Sequence, residues 1–112
     1  MKLTQDELQA RIKQKQTEQF LLDLRAVLHT KAGRNVFCWI QDVCRMNLLS
    51  FTGNSQTFMY EGMRKVGLEL LTHTFMLPDG LDLKQQAEQE YMRRGNEFLV
   101  AIQEEIRDRE DL

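Results

Sequence analysis

The chain has 112 residues, of which 42% are hydrophobic and 29% charged, and its formal net charge is -2. This length fits a single domain, and the apolar content excludes a long disordered chain. The near-neutral charge does not point to nucleic acid or an anionic membrane as a partner. Because one proline and six glycines provide few turns, the composition argues against all-β folds and favours a compact domain with a few long helices.

The ends of the chain and its cysteines predict a protein of a reducing compartment without a membrane anchor. The first residues contain no apolar stretch typical of a secretory signal, and no apolar run approaches the roughly 20 residues needed to span a bilayer. On one helix, Cys38 and Cys44 would lie about 9 Å apart along the axis, farther than a disulfide allows. We therefore expect two free thiols that act as packing residues, with no metal and no other cofactor.

The first predicted helix begins with a capping box at residues 4–7 and runs to about residue 29. Its first half offers only Leu8 and Ile12 as an apolar face, and the next seven residues are polar all round. A stretch of this kind cannot face the core of a monomer. Residues 1–18 are therefore predicted to project, to fray or to pack on another chain.

A second helix is predicted over about residues 34–46. Gly33 is expected to end the first helix or to form a tight connection, so that Arg34 begins the next one. The predicted core stripe consists of Val36, Ile40, Val43 and Cys44, with Phe37 beside them. Trp39 lies beside the centre of this stripe, where it either caps the edge of the core or serves as a contact surface.

Residues 50–55 have the composition of a loop that precedes a helix. Phe51 is predicted to anchor this loop in the core, and Gly53 is predicted to permit the turn. Asn54 or Ser55 is expected to cap the third helix through its side chain, with Ser55 as the preferred cap.

The third helix is predicted over about residues 56–74. Its apolar stripe is expected to comprise Met59, Met63, Val66 and Leu70, with Phe58 and Leu71 at its flanks. Gly62 and Gly67 fall inside the helix, where each costs about 1 kcal/mol relative to alanine. We therefore predict that another helix approaches closely at both glycines. Glu61 and Arg64 are three residues apart and can pair on the helix surface.

The last helix is predicted to follow the turn at Pro78, with Asp79 or Asp82 as its cap. Its apolar stripe consists of Leu83, Ala87, Tyr91, Phe98, Ile102 and Ile106. This stripe is long and narrow, as in a seam against a neighbouring helix. The residues proposed for an interface with other chains are Leu8, Ile12, Tyr91, Phe98, Ile102 and Ile106.

The whole chain, residues 1–112, is predicted to form a single all-α domain of four helices joined by short loops, with long first and last helices. The core is placed in residues 20–75 and the terminal helix in residues 79–112. Residues 1–34 carry seven basic and four acidic side chains, whereas residues 79–112 carry five basic and ten acidic ones. This uneven distribution of charge is either ordinary solvated surface or a sign that the basic N-terminal segment of one copy packs on the acidic C-terminal segment of another.

The sequence predicts no enzyme. Ser50 and Ser55 fit turns and caps, and His29 and His73 lie at predicted helix ends, so no catalytic pairing can be argued from their spacing.

Nucleic acid stays open as an alternative partner because basic side chains flank the middle helices. These are Lys31, Arg34, Arg45, Arg64 and Lys65.

Three motifs over about residues 30–75 together resemble a small family of tailed-phage proteins first named from a Bordetella podophage. They are a Gly-Arg start at residue 33, a Ser-Phe-x-Gly-Asn-Ser loop at residue 50, and a Glu-Gly-x-Arg-x-x-Gly helix at residue 61. The chain departs from the family pattern at Asn35 and Met63, where arginine is common. Members of this family lie among virion structure and assembly genes of short-tailed phages. The motif residues that carry the resemblance or are assigned a structural role are Gly33, Arg34, Trp39, Phe51, Gly53, Asn54, Ser55, Glu61, Gly62, Arg64 and Gly67.

The resemblance implies a non-enzymatic virion protein whose partners are other phage virion proteins, of the portal or internal core, and itself. Together with the polar first helix and the terminal seam, it predicts an internal head or portal-proximal component that acts in particle assembly or genome ejection. Such a protein would occupy the host cytoplasm during assembly and then the head interior or head–tail junction. The alternatives are a nucleic-acid-binding packaging or regulatory module, and an assembly chaperone or scaffold that is absent from the mature virion.

Overall fold

The computed structural model describes residues 2–111, which fold into four α-helices and no strand. These are α1 (Gln5–Leu28), α2 (Lys31–Val43), α3 (Gln56–Met76) and α4 (Gly80–Glu110). The all-α prediction with long first and last helices is confirmed. The capping box is confirmed as well, since the Thr4 side chain accepts a hydrogen bond from the Glu7 N–H while the Glu7 carboxylate accepts one from the Thr4 N–H.

The junction between α1 and α2 differs from the prediction at Gly33. This glycine does not end α1 but lies in the first turn of α2, because Thr30 supplies the N-cap three residues earlier. The Thr30 hydroxyl accepts a hydrogen bond from the Gly33 N–H at 2.9 Å and donates one to the Val27 carbonyl at 2.8 Å. A Cβ atom at Gly33 would lie only 1.9 Å from that carbonyl oxygen. Glycine therefore lets the start of α2 approach the end of α1.

The end of α2 is a Schellman motif with arginine at the position that usually holds glycine. Arg45 adopts a left-handed backbone with φ 58°. Its N–H donates to the Asp42 carbonyl, and the Met46 N–H donates to the Gln41 carbonyl. The Arg45 guanidinium lies 3.9 Å from the centre of the Tyr60 ring, and this cation–π contact offsets part of the backbone cost.

The core is small and lies where the four helices meet. Its buried side chains are Leu24, Leu28, Phe37, Cys38, Leu77, Leu83 and Ala87. Leu21, Leu70, Leu71 and Tyr91 pack against them while partly exposed. The predicted free thiols are confirmed, since Cys38 and Cys44 are both unpaired and buried.

The predicted apolar stripe of α2 is only partly right, because the buried face of the helix is rotated relative to it: Cys44 is buried and Ile40 is half-buried, but the two valines are exposed. Val36 and Val43 are exposed by 52% and 45%. The buried residues of the helix are Arg34, Phe37 and Cys38. Arg34 lies on the buried side because its guanidinium pairs there with Glu90, and this polar contact sets which face of α2 points inward.

The predicted stripe of α3 is also partly wrong. Met59 and Val66 are exposed by 55% and 59%, so the first half of the helix does not contribute to the core. The buried residues of α3 are Gly67 and Thr74. The Thr74 hydroxyl is tolerated inside because it donates to the Leu70 carbonyl at 2.8 Å.

The glycines inside α3 have different surroundings. The close approach predicted at Gly67 is confirmed, since a Cβ there would lie 2.8 Å from the Cys44 Cβ and 2.5 Å from the Met46 Sδ. The same prediction is wrong for Gly62, where a Cβ would meet no atom within 4 Å. Gly62 lies on the open side of the helix, away from α2.

A buried ion pair joins α2 to α4. Arg34 Nε and Nη2 donate to the two carboxylate oxygens of Glu90 at 2.9 and 3.0 Å, and Nη1 donates to the Leu28 carbonyl at 3.1 Å. The hydrogen bonds from Arg34 hold the pKa of the Glu90 carboxyl below its ordinary value. One guanidinium therefore connects the end of α1, the start of α2 and the middle of α4.

A second charged contact joins α1 to the start of α4. Asp79 is the N-cap residue of α4 but makes no side-chain capping bond. Its carboxylate instead accepts hydrogen bonds from Arg25 Nε at 3.2 Å and Nη2 at 3.3 Å, and lies 2.8 Å from His29 Nε2. The hydrogen bonds from Arg25, and then that with His29, lower the pKa of the Asp79 carboxyl. The predicted capping role of this side chain is replaced by a bridge between helices.

The molecule is elongated, which contradicts the expectation of a compact domain. The Cα radius of gyration is 20.0 Å and the principal extents are 81 × 39 × 20 Å, whereas a compact chain of this length has a radius of gyration of about 13 Å. Even α4, the longest helix, spans only about 46 Å. Parts of α1 and α4 therefore extend away from the small core.

Candidate interaction surfaces

Three segments outside the core carry about half of the large hydrophobic side chains that are exposed in the described residues. The first is the α1 arm, which we define as residues 2–16. The second is the apolar loop surface, formed by Leu48, Leu49, Phe51 and Phe58. The third is the α4 arm, which we define as residues 92–110.

The α1 arm is a regular helix without a partner in the monomer. Each of its residues is exposed, and burial begins only at Thr17. Leu8 and Ile12 lie on one face and are exposed by 42% and 41%. Next along the helix, the Phe20 ring meets the His73 ring edge-on at 5.1 Å, which marks where α1 joins the rest of the molecule.

The apolar loop surface corrects the prediction that Phe51 anchors the loop in the core. Phe51 is exposed by 81%, as is Phe58, and Leu49 is exposed by 86%. The buried residue of this loop is instead the neighbouring Ser50, because the direction of the chain here turns the aromatic ring outward. An exposed aromatic side chain in a loop is typical of a binding element rather than of a core plug.

The loop that carries Phe51 is held by its own hydrogen bonds. The Thr52 N–H donates to the Thr57 hydroxyl at 3.0 Å, and the Thr52 hydroxyl donates to Asn54 Oδ1 at 2.8 Å. Gly53 has φ +79°, which is the turn geometry predicted for it. These bonds restrain the turn that follows Phe51, at residues 52–57, and a restrained turn lowers the entropy cost of docking.

The start of α3 is capped by a different side chain from the one preferred in the prediction. Ser55 has helical dihedral angles and makes no side-chain capping bond, so its predicted role is wrong. Asn54 Oδ1 instead accepts from the Gln56 N–H at 2.9 Å. The short Asn side chain reaches this amide because it lies two residues before it in an Asx turn.

Because Phe51 is exposed, we expect Phe51→Ala to change the free energy of unfolding by no more than about 0.5 kcal/mol. If the Phe51 ring were buried in the core, the same truncation would instead cost about 3–5 kcal/mol. Urea unfolding followed by circular dichroism measures the difference, with Phe37→Ala as the matched control because Phe37 is only 3% exposed. A large loss of stability in Phe51→Ala would show that the ring is buried in solution and would remove the loop from the interaction surfaces.

The α4 arm continues the apolar stripe of α4 beyond the core. Tyr91 is the last member of the stripe that packs on the core, and its hydroxyl donates to Asp42 Oδ2 at 2.8 Å. This hydrogen bond to a carboxylate raises the pKa of the Tyr91 phenol. Phe98, Ile102 and Ile106 are exposed by 60%, 52% and 49%. The stripe thus changes from core to open surface just after Tyr91.

Two other motif residues lie at the surface. Trp39 is exposed by 57%, so it does not cap the core and belongs to an outer face of α2.

Glu61 and Arg64 form no ion pair with each other within the described chain. Glu61 is fully on the outside of α3 while Arg64 is half-buried, and the predicted pairing is therefore wrong.

The basic residues considered for nucleic acid do not form one free patch. Arg34 is 8% exposed and paired with Glu90, and the Arg45 guanidinium lies over Tyr60. Phosphate contacts need exposed cations on one face, and these two cannot take part in their observed positions.

Cys38 is a buried thiol whose surroundings disfavour the thiolate form. Burial, and next the nearby charge of Glu88, raise the pKa of the Cys38 thiol to about 11. A thiol with such a pKa stays protonated at neutral pH and is a poor nucleophile and a poor metal ligand. Across residues 2–111, no group of three His, Cys, Asp or Glu side chains is placed to hold a metal ion.

None of the protein families, curated protein sequences and solved structures compared with this chain matches it. Among the helices of the described residues, none is both long and apolar enough to cross a membrane.

Proposed function

We propose that this chain is a non-enzymatic structural protein of a short-tailed bacteriophage, an internal head or portal-proximal component that acts in particle assembly or genome ejection. The observation that carries the proposal is the balance of buried and open apolar surface. Within residues 2–111, eight hydrophobic residues are buried, while 25 large hydrophobic side chains are exposed. A chain with so much open apolar surface is suited to packing against other proteins.

The three interaction surfaces give this proposal a mechanism. Each lies on a different part of an 81 Å long molecule, so several neighbours can bind at once. Burying one exposed leucine or phenylalanine side chain contributes about 1.5–3 kcal/mol before the costs of association. Several modest contacts of this kind then add up to stable incorporation through multivalency. The phage assignment itself rests on the resemblance of about residues 30–75 to virion-cluster proteins.

The α1 arm offers the sharpest test of an assembly role. Deleting residues 2–16 should leave the helical content per residue and the thermal unfolding of the remaining chain nearly unchanged, because each of these residues is exposed in the monomer and none belongs to the core. The same deletion should remove the protein from purified virions, as measured by mass spectrometry. The double variant Leu8→Gln/Ile12→Gln should reproduce this loss, whereas Ala10→Gln, on the opposite side of the helix, should not.

The alternatives give different results in the same experiments. If the truncated protein enters virions at the normal level, the α1 arm is not an assembly contact and this mechanism is wrong. If the full-length protein is present in assembly intermediates but missing from mature particles, it is a scaffold or chaperone. A gel shift with duplex DNA whose affinity falls steeply with salt would instead support a nucleic-acid-binding module.

A further inference from the structure

We propose that the α4 arm pairs with the same segment of a second copy of this chain, as an antiparallel two-stranded coiled coil centred between Val100 and Ala101. The pairing makes the protein a dimer whose two cores lie at opposite ends of the paired helices. This inference rests on the geometry of α4 alone and does not depend on the virion assignment.

The first argument is the spacing of the exposed apolar side chains. Met92, Leu99, Ile102 and Ile106, together with Gly95, follow one another at alternating steps of three and four residues. This alternation is the seven-residue repeat of a two-stranded coiled coil. The four side chains are exposed by 69%, 53%, 52% and 49% in that order. The seam begins directly after Tyr91, where the packing of α4 on the core ends.

The second argument is that the inner layers of the seam, from Gly95 to Ile106, are complementary to themselves in the antiparallel direction. With the stated centre, Leu99 lies opposite Ile102 of the second copy, and Gly95 lies opposite Ile106. In the second of these pairs the large Ile106 side chain faces Gly95, which has no side chain. Its own chain leaves this space open, because a Cβ at Gly95 would meet no atom of that chain within 4 Å. A parallel pair would place Gly95 against Gly95 and leave the seam underpacked at that layer.

The third argument is the distribution of charge along the arm. Arg93 and Arg94 make its first part basic, whereas its far end is acidic. The charged side chains of the far end are Glu104, Glu105, Arg107, Asp108, Arg109, Glu110 and Asp111. Antiparallel pairing brings the basic end of one copy near the acidic end of the other, while parallel pairing would place the two acidic ends side by side.

A second copy of α4 fits this seam better than the α1 arm does. The α1 arm carries a basic excess that would attract the acidic end of α4, but Leu8 and Ile12 are its only apolar pair on one face. The seam from Met92 to Ile106 is about 21 Å long, and two adjacent side chains cover only a fraction of it. The same segment of a second copy matches the seam in length, and the resulting two-fold interface is closed.

The experiment measures the oligomeric state of the full-length protein by sedimentation equilibrium. The wild type is expected to be a dimer. Ile102→Glu should raise the dimer dissociation constant at least about 100-fold, because it places a charge in the dry centre of the seam. Val100→Glu is the matched control, since Val100 is equally exposed at 51% but lies off the seam, and this variant should stay dimeric. Circular dichroism should show both variants folded, because neither residue packs on the core.

Disulfide trapping tests the orientation. In the proposed register, position 92 of one copy lies opposite position 109 of the other. A mixture of Met92→Cys and Arg109→Cys chains should form a crosslinked heterodimer under mild oxidation, and Arg109→Cys alone should not crosslink to itself. The native thiols do not interfere, because Cys38 and Cys44 are buried.

Four results would overturn the proposal. These are a wild type that stays monomeric at its highest soluble concentration, equal loss of the dimer in Ile102→Glu and Val100→Glu, self-crosslinking of Arg109→Cys, and a dimer that disappears when residues 2–16 are deleted. The last result would assign the seam to the α1 arm. Failure of virion incorporation with an intact dimer would contradict the proposed function and leave this inference standing.

Discussion

Replacing Arg34 by leucine is expected to lower the free energy of unfolding by about 2–3 kcal/mol, because the partly buried Glu90 carboxylate loses its cationic partner and keeps only the hydrogen bond from Gln86. The Arg34 and Glu90 side chains are exposed by only 10% and 22%. The change also removes the donor to the Leu28 carbonyl. Three helices lose their common contact, so the effect should appear as a lower urea midpoint by circular dichroism with an unchanged slope.

Two control variants separate the ion pair from a general effect of lost charge. In the double variant Arg34→Leu/Glu90→Leu, both charges are absent, and part of the lost stability should return. Glu105→Gln removes one partner of an exposed pair, in which Arg109 and Glu105 are 74% and 61% exposed, and should have almost no effect. If Arg34→Leu is as stable as the wild type, the guanidinium does not hold α2 against α4.

The same pair predicts how stability depends on pH. The folded-state pKa of Glu90 is lower than the ordinary value of 4.5, so the folded chain binds fewer protons than the unfolded chain between the two pKa values. The contribution of Glu90 is therefore complete above pH 4.5 and is lost as the pH falls through the folded-state pKa. Unfolding free energies measured from pH 6 downwards should decline more steeply in the wild type than in Arg34→Leu/Glu90→Leu. Equal slopes would contradict the prediction.

The helices could be predicted from the sequence because their ends carry local signals. The capping box at Thr4 and the cluster of turn-forming residues before Gln56 act within a few residues of the chain, so their effects are visible in sequence alone. Even the error at Gly33 is local, since Thr30 competes as a cap and moves the start of α2 by three residues. Local chemistry was therefore enough to define the class of fold.

The rotation of α2 could not be predicted, because it depends on a contact between residues far apart in the chain. Arg34 and Glu90 are 56 positions apart, and an arginine in a helix is ordinarily assigned to the solvent side. Once Arg34 is buried, Phe37 and Cys38 follow it inward and Val36 turns outward. The apolar pattern alone favours the opposite choice, since it places the aliphatic side chains inside.

The exposed apolar surfaces were predicted in part. The open face of α4 follows from the regular spacing of its apolar residues, which continues past the point where the core can reach. The loop at Phe51 was not predicted as a surface, because an aromatic residue in a short loop usually packs inward. A signal was present, however. Leu48, Leu49 and Phe51 bring three large apolar side chains into one short loop, more than a small core next to it can bury.

Gly33→Ala is expected to lower the free energy of unfolding by about 3 kcal/mol, at the upper end of the range for overpacking. The new Cβ would lie 1.9 Å from the Val27 carbonyl oxygen and 2.7 Å from the Thr30 hydroxyl. The carbonyl belongs to the backbone at the end of α1, so a side-chain rotation cannot relieve the clash. Either α2 moves away from α1 or the Thr30 cap breaks, and both weaken the packing of Leu28 against α2 and α4.

The matched control for this variant is Gly62→Ala. Gly62 also lies inside a helix, but a Cβ there meets no atom within 4 Å, so the substitution should raise the free energy of unfolding by about 0.5–1 kcal/mol through helix propensity. The two glycine-to-alanine changes are thus expected to shift the urea midpoint in opposite directions. A stabilising Gly33→Ala would mean that α1 and α2 do not approach each other closely at this point. Because the small core depends on that approach to align Leu28 with Phe37, the whole arrangement of the first two helices would then have to be different.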